Sequence, residues 1–385
     1  MVYAEESEAV WPSAETLADP YPFYAKLRST EPVHYDTRRR AWLLTRYEDC
    51  DLVLRDSTRF SSALGENGSM LVSDPPRHTR LRTLVSKAFT PRAIAALRPR
   101  IEAITDELLA ALDGRETIDA IAEYAYPLPI TVIAEMLGVE HERRDFFRAQ
   151  SQAIALAMGV GLDPGSQDRS ADAARQLRAY FADLVARRRT EPRDDLVSAL
   201  IAVEERGDLL SERELLMMLQ LLLIGGHETT VNLIGNGLLA LLRHPDQLAR
   251  LRDEHGGERR AIDELLRYDS PVQYTGRIAR SAVELCGTAI GPGDRVRIIL
   301  GAANRDPEQF AEPDTLDLGR DPCPHLAFGF GVHYCLGAEL ARLEGAIAIP
   351  AFLRRYPDVR LAADEVCWRP ASVLRGLEAL PLALR

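Results

Sequence analysis

Cysteine is scarce and irregularly placed, with five residues in 385, at Cys50, Cys286, Cys323, Cys335 and Cys367. The odd count argues against a disulfide framework. The acidic opening MVYAEESEAVWPSAETLADPYPF lacks the apolar stretch of a secretory signal, so a reducing, cytoplasmic location is expected. Long hydrophobic runs are missing too. The longest, Leu215 to Ile224, is broken by Gln220 and stops at Gly225-Gly226. A membrane span needs ~20 apolar residues, so no membrane association is expected. Basic residues are outnumbered, 47 Lys and Arg against 58 Asp and Glu, for a net charge of −11, which argues against a nucleic-acid partner. Repeats, low-complexity runs and linkers rich in Gly, Ser or Pro are also absent. Length alone favours two or three domains at ~150 residues each, but without a linker that division has no place to fall. What is present is a globular balance, 46% hydrophobic and 27% charged, in a chain long enough to bury a large core.

The pattern along the chain is helix-rich with a small sheet component. Val33 to Tyr35 and Ala41 to Leu44 read as short strands around the turn-like Asp36 to Arg39, and a helix follows from Tyr47 to Leu54. Residues 61–70 and Gly159 to Gln167 read as loops from their polar, Gly-containing composition. From Pro75 to about Tyr268 the periodicity is mostly helical. It includes Leu128 to Leu137, Arg143 to Met158 and the amphipathic Ser170 to Arg189, whose last turn carries basic residues, as the helix dipole favours. Leu215 to Arg243 is apolar on nearly every face and predicts a helix through the interior. Ala282 to Ile290 and Arg295 to Leu300 flank Gly291-Pro292-Gly293-Asp294, a hairpin signal. Gly337 to Arg355 is helical again.

The most informative stretch is Phe328-Gly-Phe-Gly-Val-His-Tyr-Cys335-Leu-Gly337, with a helix starting directly after it. Glycines such as Gly329 and Gly337 permit close backbone approach and positive φ. They leave N–H groups free to point at the sulfur, and the positive end of the following helix favours a thiolate. This is the environment of a cysteine held as a ligand, with a flat partner packed on Phe328 and the glycines. Three other readings stand beside it. Cys335 is a buried structural cysteine, or part of a zinc site with Cys323, His325 and His333, or a nucleophile with a histidine base. The Cys-x-His and His-x-Cys spacings do not match the usual zinc spacings.

Three further segments stand out. Glu264 and Arg267 lie three apart and share a helix face, an arrangement that on its own is usually a weak surface ion pair. Gly225-Gly226-His227-Glu228-Thr229-Thr230 places two glycines, an acid and hydroxyls inside the apolar helix, where the glycines weaken it and the polar groups demand partners. In Asp74-Pro-Pro-Arg-His78-Thr-Arg-Leu-Arg82, His78 and Arg82 are i, i+4 and form one basic face.

Together these segments resemble the cytochrome P-450 haem-thiolate monooxygenases in their soluble bacterial form. F-G-x-G-x-H-x-C-x-G is that family's haem-binding loop and matches at every fixed position. The other motifs follow in order, with Ala303 to Phe310 as a further landmark, from about Asp19 to the C-terminus. The resemblance implies a mainly α, triangular-prism fold with a small β-rich region, and one catalytic domain over residues 1–385. It implies haem b with Cys335 as iron ligand, and His78, Arg82, Arg277 and His333 on the propionates. A buried structural triad of Glu264, Arg267 and Arg320 is expected, as is an opening beside the acid–alcohol pair Glu228 and Thr229 that admits O₂ and relays protons. Gly225 stands where Ala is common, which loosens the kink. The substrate pocket is expected around the loop at 61–70, the region 155–168, Gly226, Val272, Tyr274 and Val373.

The implied reaction is hydroxylation or epoxidation of a small organic molecule, and a place in secondary metabolite biosynthesis is expected. Electrons are expected from a separate ferredoxin and ferredoxin reductase, with Arg77, Arg80 and Lys87 meeting an acidic ferredoxin. A monomer is expected. The rival readings are a non-hydroxylating oxidation on the same fold (aryl coupling, dehydration or nitration) and a haem-binding sensor. The Glu228-Thr229 pair counts against a sensor, which needs no proton relay.

Overall fold

A 32-residue helix, Glu212–Arg243, runs through the interior of the molecule. It starts three residues before the apolar run because Ser211 caps it. The Ser211 hydroxyl accepts from the Glu214 N–H, and the Glu214 carboxylate accepts from the Ser211 N–H, a reciprocal arrangement that satisfies two otherwise orphaned donors. At ~1.5 Å per residue the helix is about 48 Å long. It packs against helices Pro127–Leu137, Ser166–Thr190, Glu258–Tyr268 and Ala338–Arg355. The computed structural model describes residues 13–64, 69–158, 165–204, 210–253, 256–363 and 365–385. Parts of the expected loops at 61–70 and 159–167 lie outside the described residues. Ser166, expected in the second loop, is already helical.

Ten short strands form three sheets among the described residues: β1 (Val33–Asp36), β2 (Ala41–Leu44), β3 (Phe60–Ser61), β4 (Thr117–Asp119), β5 (Thr275–Ala279), β6 (Val283–Leu285), β7 (Thr288–Ile290), β8 (Arg295–Ile298), β9 (Arg360–Leu361) and β10 (Pro381–Ala383). The largest sheet has the order β1-β2-β8-β5-β3, with β2 and β8 parallel. The second has the order β4-β10-β9. β4 interrupts the stretch expected to be mostly helical, and a three-residue strand is too short to show a period.

The expected hairpin across Gly291 to Asp294 is corrected. The hairpin closes one turn earlier, with Val283 opposite Ile290. Its turn is Cys286-Gly287, both at positive φ (48° and 73°). β8 then leaves to pair with β5 and β2. The Asp294 carboxylate redirects the chain by accepting from the Gly291 N–H at 2.8 Å and from Trp42 Nε1 at 2.9 Å. Val296 and Ile298 of β8 are buried with Leu44 and Phe60, an apolar contact that continuing the hairpin would forgo.

The largest apolar cluster joins residues from Met70 to Leu384 without a break between N- and C-terminal halves. Two smaller clusters lie under the five-stranded sheet and around Tyr24. Among the described residues, no helix is long and apolar enough to cross a membrane.

Candidate functional site

The cysteine loop is held from two sides. Leu326 N–H donates to Asn304 Oδ1 at 2.6 Å, and Cys335 N–H donates to the Phe328 carbonyl at 2.9 Å. Gly329 and Gly331 take positive φ of 65° and 68°. At Gly331 a Cβ would lie 2.5 Å from the Leu54 carbonyl oxygen, so only glycine lets the loop press on helix Tyr47–Arg55. The Arg55 guanidinium lies 3.6 Å from the Phe330 ring centroid, and that of Arg342 lies 4.6 Å from the centroid of Phe328. Gly337 opens helix Ala338–Arg355. Burial raises the Cys335 thiol pKa, while the Gly337 N–H, Arg82 and Arg342 pull it back down.

Facing the loop is a concentration of cationic groups. The imidazoles of His78 and His333 lie 4.1 Å apart at 49°. Neither nitrogen of His78, nor Nε2 of His333, has a hydrogen-bond partner, although all are buried. Burial, followed by the neighbouring His78 and Arg277, pushes His333 down to about 3. Burial also lowers His78 and Arg82 and brings Arg277 down to about 10. Asp74 is the acid whose charge reaches His78, Arg277 and His333. Its carboxylate is already engaged by Ser61, the Ser62 N–H and Arg280. Histidines and arginines from three separate segments therefore converge with no free carboxylate among the described residues to pair with them. A Cβ built at Gly225, Gly329 or Gly337 would meet no heavy atom within 4 Å. Orphaned imidazoles, the buried Arg277, the half-buried Arg82 and a glycine-lined cradle fit a flat group that carries carboxylates.

Gly225 and Thr229 share one face of the central helix, and the Thr229 hydroxyl donates to the Gly225 carbonyl at 3.1 Å. Glu228 does not share that face. It is 1% exposed, accepts from Arg369 Nη1 at 2.8 Å, and lies 3.3 Å from His227 Nε2. Burial alone would raise the Glu228 pKa, but His227 and Arg369 hold it below the ordinary carboxylate value. Arg369 was not singled out in the sequence. The signal that points to it is indirect, since a buried acid requires a cation and nothing local names which one. Thr230 is buried beside the equally buried Glu344, whose carboxylate oxygens have no hydrogen-bond partner in the protein.

The pocket assignment of Gly226 is corrected. A Cβ there would lie 2.9 Å from Ile133 Cγ1, so the residue serves the close contact with helix Pro127–Leu137, and Gly225 takes the open side. Val272, Tyr274 and Val373 do come together. Val272 bridges Leu374, the Gln273 N–H donates to the Val373 carbonyl at 2.8 Å, and the Tyr274 hydroxyl lies 3.3 Å from Ser372 Oγ. Arg77 and Arg80 are not free cations, because both bond to Glu214.

Glu264 is fully buried and binds Arg267 in bidentate fashion, at 2.7 and 2.8 Å, with Arg320 Nε at 3.1 Å. Arg267 also donates to the carbonyl of Asn304. Asn304 thus links this triad to the cysteine loop, a role that its place in the Ala303 to Phe310 run did not reveal. Cys323 and His325 turn to this scaffold as well. The Cys323 thiol lies 3.7 Å from Glu264 Oε2, and His325 Nε2 lies 3.1 Å from Asp263 Oδ1. They do not converge with His333 and Cys335, and no group of three metal-ligating side chains exists among the described residues.

On this helical frame, the cysteine loop lies opposite two guanidinium groups and two imidazoles with unpaired nitrogens. The family model described as Cytochrome P450 matches residues 38–362, and the chain belongs to that family. It is 47% identical to cytochrome P450 107B1 of Saccharopolyspora erythraea over 89% of each chain. It is 43% identical to the cytochrome P450 monooxygenase PikC of Streptomyces venezuelae, over 96% of this chain and 92% of that one. The solved structure of the bacillaene polyketide synthase cytochrome P450 PksS of Bacillus subtilis superposes with a TM-score of 0.90 at 41% identity, covering 97% and 98% of the two chains. The chain is accordingly a haem-dependent monooxygenase that acts on small organic molecules with electrons from redox partners.

Proposed function

We propose that residues 1–385 form one catalytic unit that holds haem b through Cys335 and oxidises a polyketide-like skeleton in secondary metabolism. The observation that carries the cofactor assignment is the set of orphaned imidazoles and guanidinium groups opposite the glycine loop. His78, Arg82, Arg277 and His333 would hold the two propionates by charge-assisted hydrogen bonds. Phe328, Gly329 and Gly337 would lie against the ring, and Cys335 would supply the thiolate. When bound, the haem supplies the oxidising chemistry, and thiolate donation favours O–O cleavage.

The chain's own residues do the rest. The Gly225 carbonyl orients the Thr229 hydroxyl, which holds a proton on the open face. Glu228, one residue away and buried, exchanges protons with that hydroxyl through water and is kept ionised between turnovers by Arg369. Glu264, Arg267 and Arg320 fix the segment that carries the cysteine loop. Val272 and Val373 exclude water from the substrate, and the Tyr274 hydroxyl orients a polar group on it. The polyketide assignment rests on the likeness to PksS. Hydroxylation or epoxidation is the reaction class.

Electrons would come from a ferredoxin and its reductase. With Arg77 and Arg80 neutralised by Glu214, the exposed Lys87 and the exposed Val332 at the tip of the cysteine loop are the contacts we assign to that partner. Five free cysteines suit a reducing cytoplasm, and we take the protein as a monomer there. The test of the cofactor assignment is the carbon monoxide spectrum of reduced protein. Cys335→Ser is expected to lose the long-wavelength Soret band of a thiolate-ligated haem, and Cys323→Ser to keep it. A retained band in Cys335→Ser overturns the ligand assignment. Spectral titration with candidate polyketides, read as displacement of distal water, tests the substrate class.

A further inference from the structure

We propose that Asn232 and Asn236 hold a chain of buried water that carries protons from a cavity on the far side of the central helix to Glu228. The inference rests on the reading of Glu228 as the proton source for Thr229.

Glu228, Asn232 and Asn236 are spaced four apart and so form one stripe along helix Glu212–Arg243. All three face the C-terminal segment. Arg369 bonds to Glu228, Gly376 packs against the Asn232 side chain, and Asn236 Nδ2 donates to the Arg375 carbonyl at 3.1 Å. The three are 1%, 1% and 3% exposed. Yet both side-chain polar atoms of Asn232, and Asn236 Oδ1, have no hydrogen-bond partner in the protein, and Glu228 Oε1 meets only His227 Nε2 at 3.3 Å. Amides buried dry are destabilising, and ordered water is the usual remedy. Neighbours at i and i+4 are ~6 Å apart, a gap that one water spans with a hydrogen bond to each side.

The stripe also leads somewhere. Asn236 lines a cavity of about 370 Å³ whose wall includes Tyr21, Arg243, Asp269, Trp368 and Arg375. The two guanidinium groups along the route are neutralised, Arg369 by Glu228 and Arg375 by Asp269 at 2.7 Å, so neither repels a passing proton with an uncompensated charge. On the opposite side of Glu228, Tyr126 Oη is also without a partner, and His227 Nε2 meets only Glu228 Oε1. The Arg148 guanidinium lies 4.7 Å from the Tyr126 ring centroid. That side is the rival inlet.

The proton count closes. Glu228, a carboxylate at rest, takes one proton from the water at Asn232, passes it towards Thr229 and is a carboxylate again. The water at Asn232 recovers its proton along the stripe from bulk solvent at the cavity, and no electron moves. Asn232 and Asn236 are positioning residues, since they act by holding water.

The test uses the haem-loaded full-length enzyme and two kinds of measurement. The first is an atomic-resolution crystal structure, expected to show ordered water bonded to Asn232 and to Asn236 Oδ1. The second is turnover in H₂O and D₂O. Asn232→Leu and Asn236→Leu are expected to lower kcat roughly tenfold, less than the ~10²–10⁴-fold of a general acid–base group itself, because the asparagines act only by holding water. They should also enlarge the solvent isotope effect and leave KM unchanged, and Asn232→Ser, which still holds water, should restore kcat. If Asn232→Leu does not fold against Gly376, Asn236→Leu at the cavity wall and the crystallographic water carry the test. A dry stripe overturns the proposal. So do leucine variants with unaltered kcat and isotope effect while Tyr126→Phe changes both, which moves the inlet to the other side. If Glu228→Gln itself leaves kcat and the isotope effect unaltered while ordered water is present, the reading of Glu228 fails instead.

Discussion

Arg369 Nη1 lies 2.8 Å from Glu228 Oε2 although 141 positions separate the two residues in the chain. Glu228 is 1% exposed, so the ion pair is what keeps a charge tolerable inside the apolar helix. Removing one partner of a buried pair costs ~3–5 kcal/mol. Arg369→Met is therefore expected to lower the thermal midpoint at neutral pH. The pH dependence has a definite sign. In the native protein the Glu228 pKa is held below its ordinary value. Its contribution to stability is present above that ordinary value, ~4.3, and is lost as pH falls through the lower folded value. In Arg369→Met burial acts with less opposition and the acid protonates more readily. The stability gap between the two proteins should then narrow on acidification. Thermal melts at a series of pH values check this, and a constant gap contradicts it.

Arg277 has a guanidinium pushed down to about 10 by burial, so its charge is a strain on the protein unless an anion joins it. Arg277→Leu should leave the apoprotein as stable as the parent or more so. It should also release haem to an excess of an apo-haem acceptor about tenfold faster, which corresponds to ~1.4 kcal/mol. Equal haem loss from variant and parent removes Arg277 from the propionate site.

Glu264 sits at the centre of a fully buried pair and takes a fourth bond from the Asp317 N–H at 2.9 Å. Glu264→Ala leaves Arg267 charged with its carboxylate partner gone, at a cost of ~3–5 kcal/mol. Arg320 suffers less, because the Ala311 carbonyl still accepts from it at 2.8 Å. Little soluble haem protein is expected. A haem-replete Glu264→Ala protein with an unaltered melting point would show that the triad is dispensable.

Thr229 and Gly225 meet on the open face of the central helix. Thr229→Ala should keep consuming reductant in the presence of substrate while hydrogen peroxide rises and organic product falls, and Thr229→Ser should restore product. Thr230 is unsuitable as a control, because it is buried beside Glu344, whose carboxylate has no other neighbour to lower its pKa. Equal coupling in Thr229→Ala and the parent would leave Glu228 or water to act without it.

The elements legible in the sequence are those whose causes are local. β1 and β2, the helix from Tyr47, the central helix and the helix after Gly337 each follow from periodicity, a cap or a run of glycines within a few residues. The loop around Cys335 is of the same kind, because its shape depends on glycines within reach of the sulfur. Even so, the central helix begins three residues earlier than its apolar pattern, since a capping serine carries no hydrophobic signal.

Sequence by itself determined the helix-rich class, the cysteine loop and the order of the motifs around it, because spacing along one helix or turn sets which side chains can meet. Only the tertiary structure decided which distant groups face one another. The choice of Arg369 for Glu228, and of Asn304 as the link between triad and loop, comes from packing between segments far apart in the chain. So does the gathering of His78 with His333, and the turn of Gly226 towards Ile133. In each case the physical reason is that a buried charge or a close helix contact accepts any chemically suitable partner. The fold then selects the one that burial brings within reach.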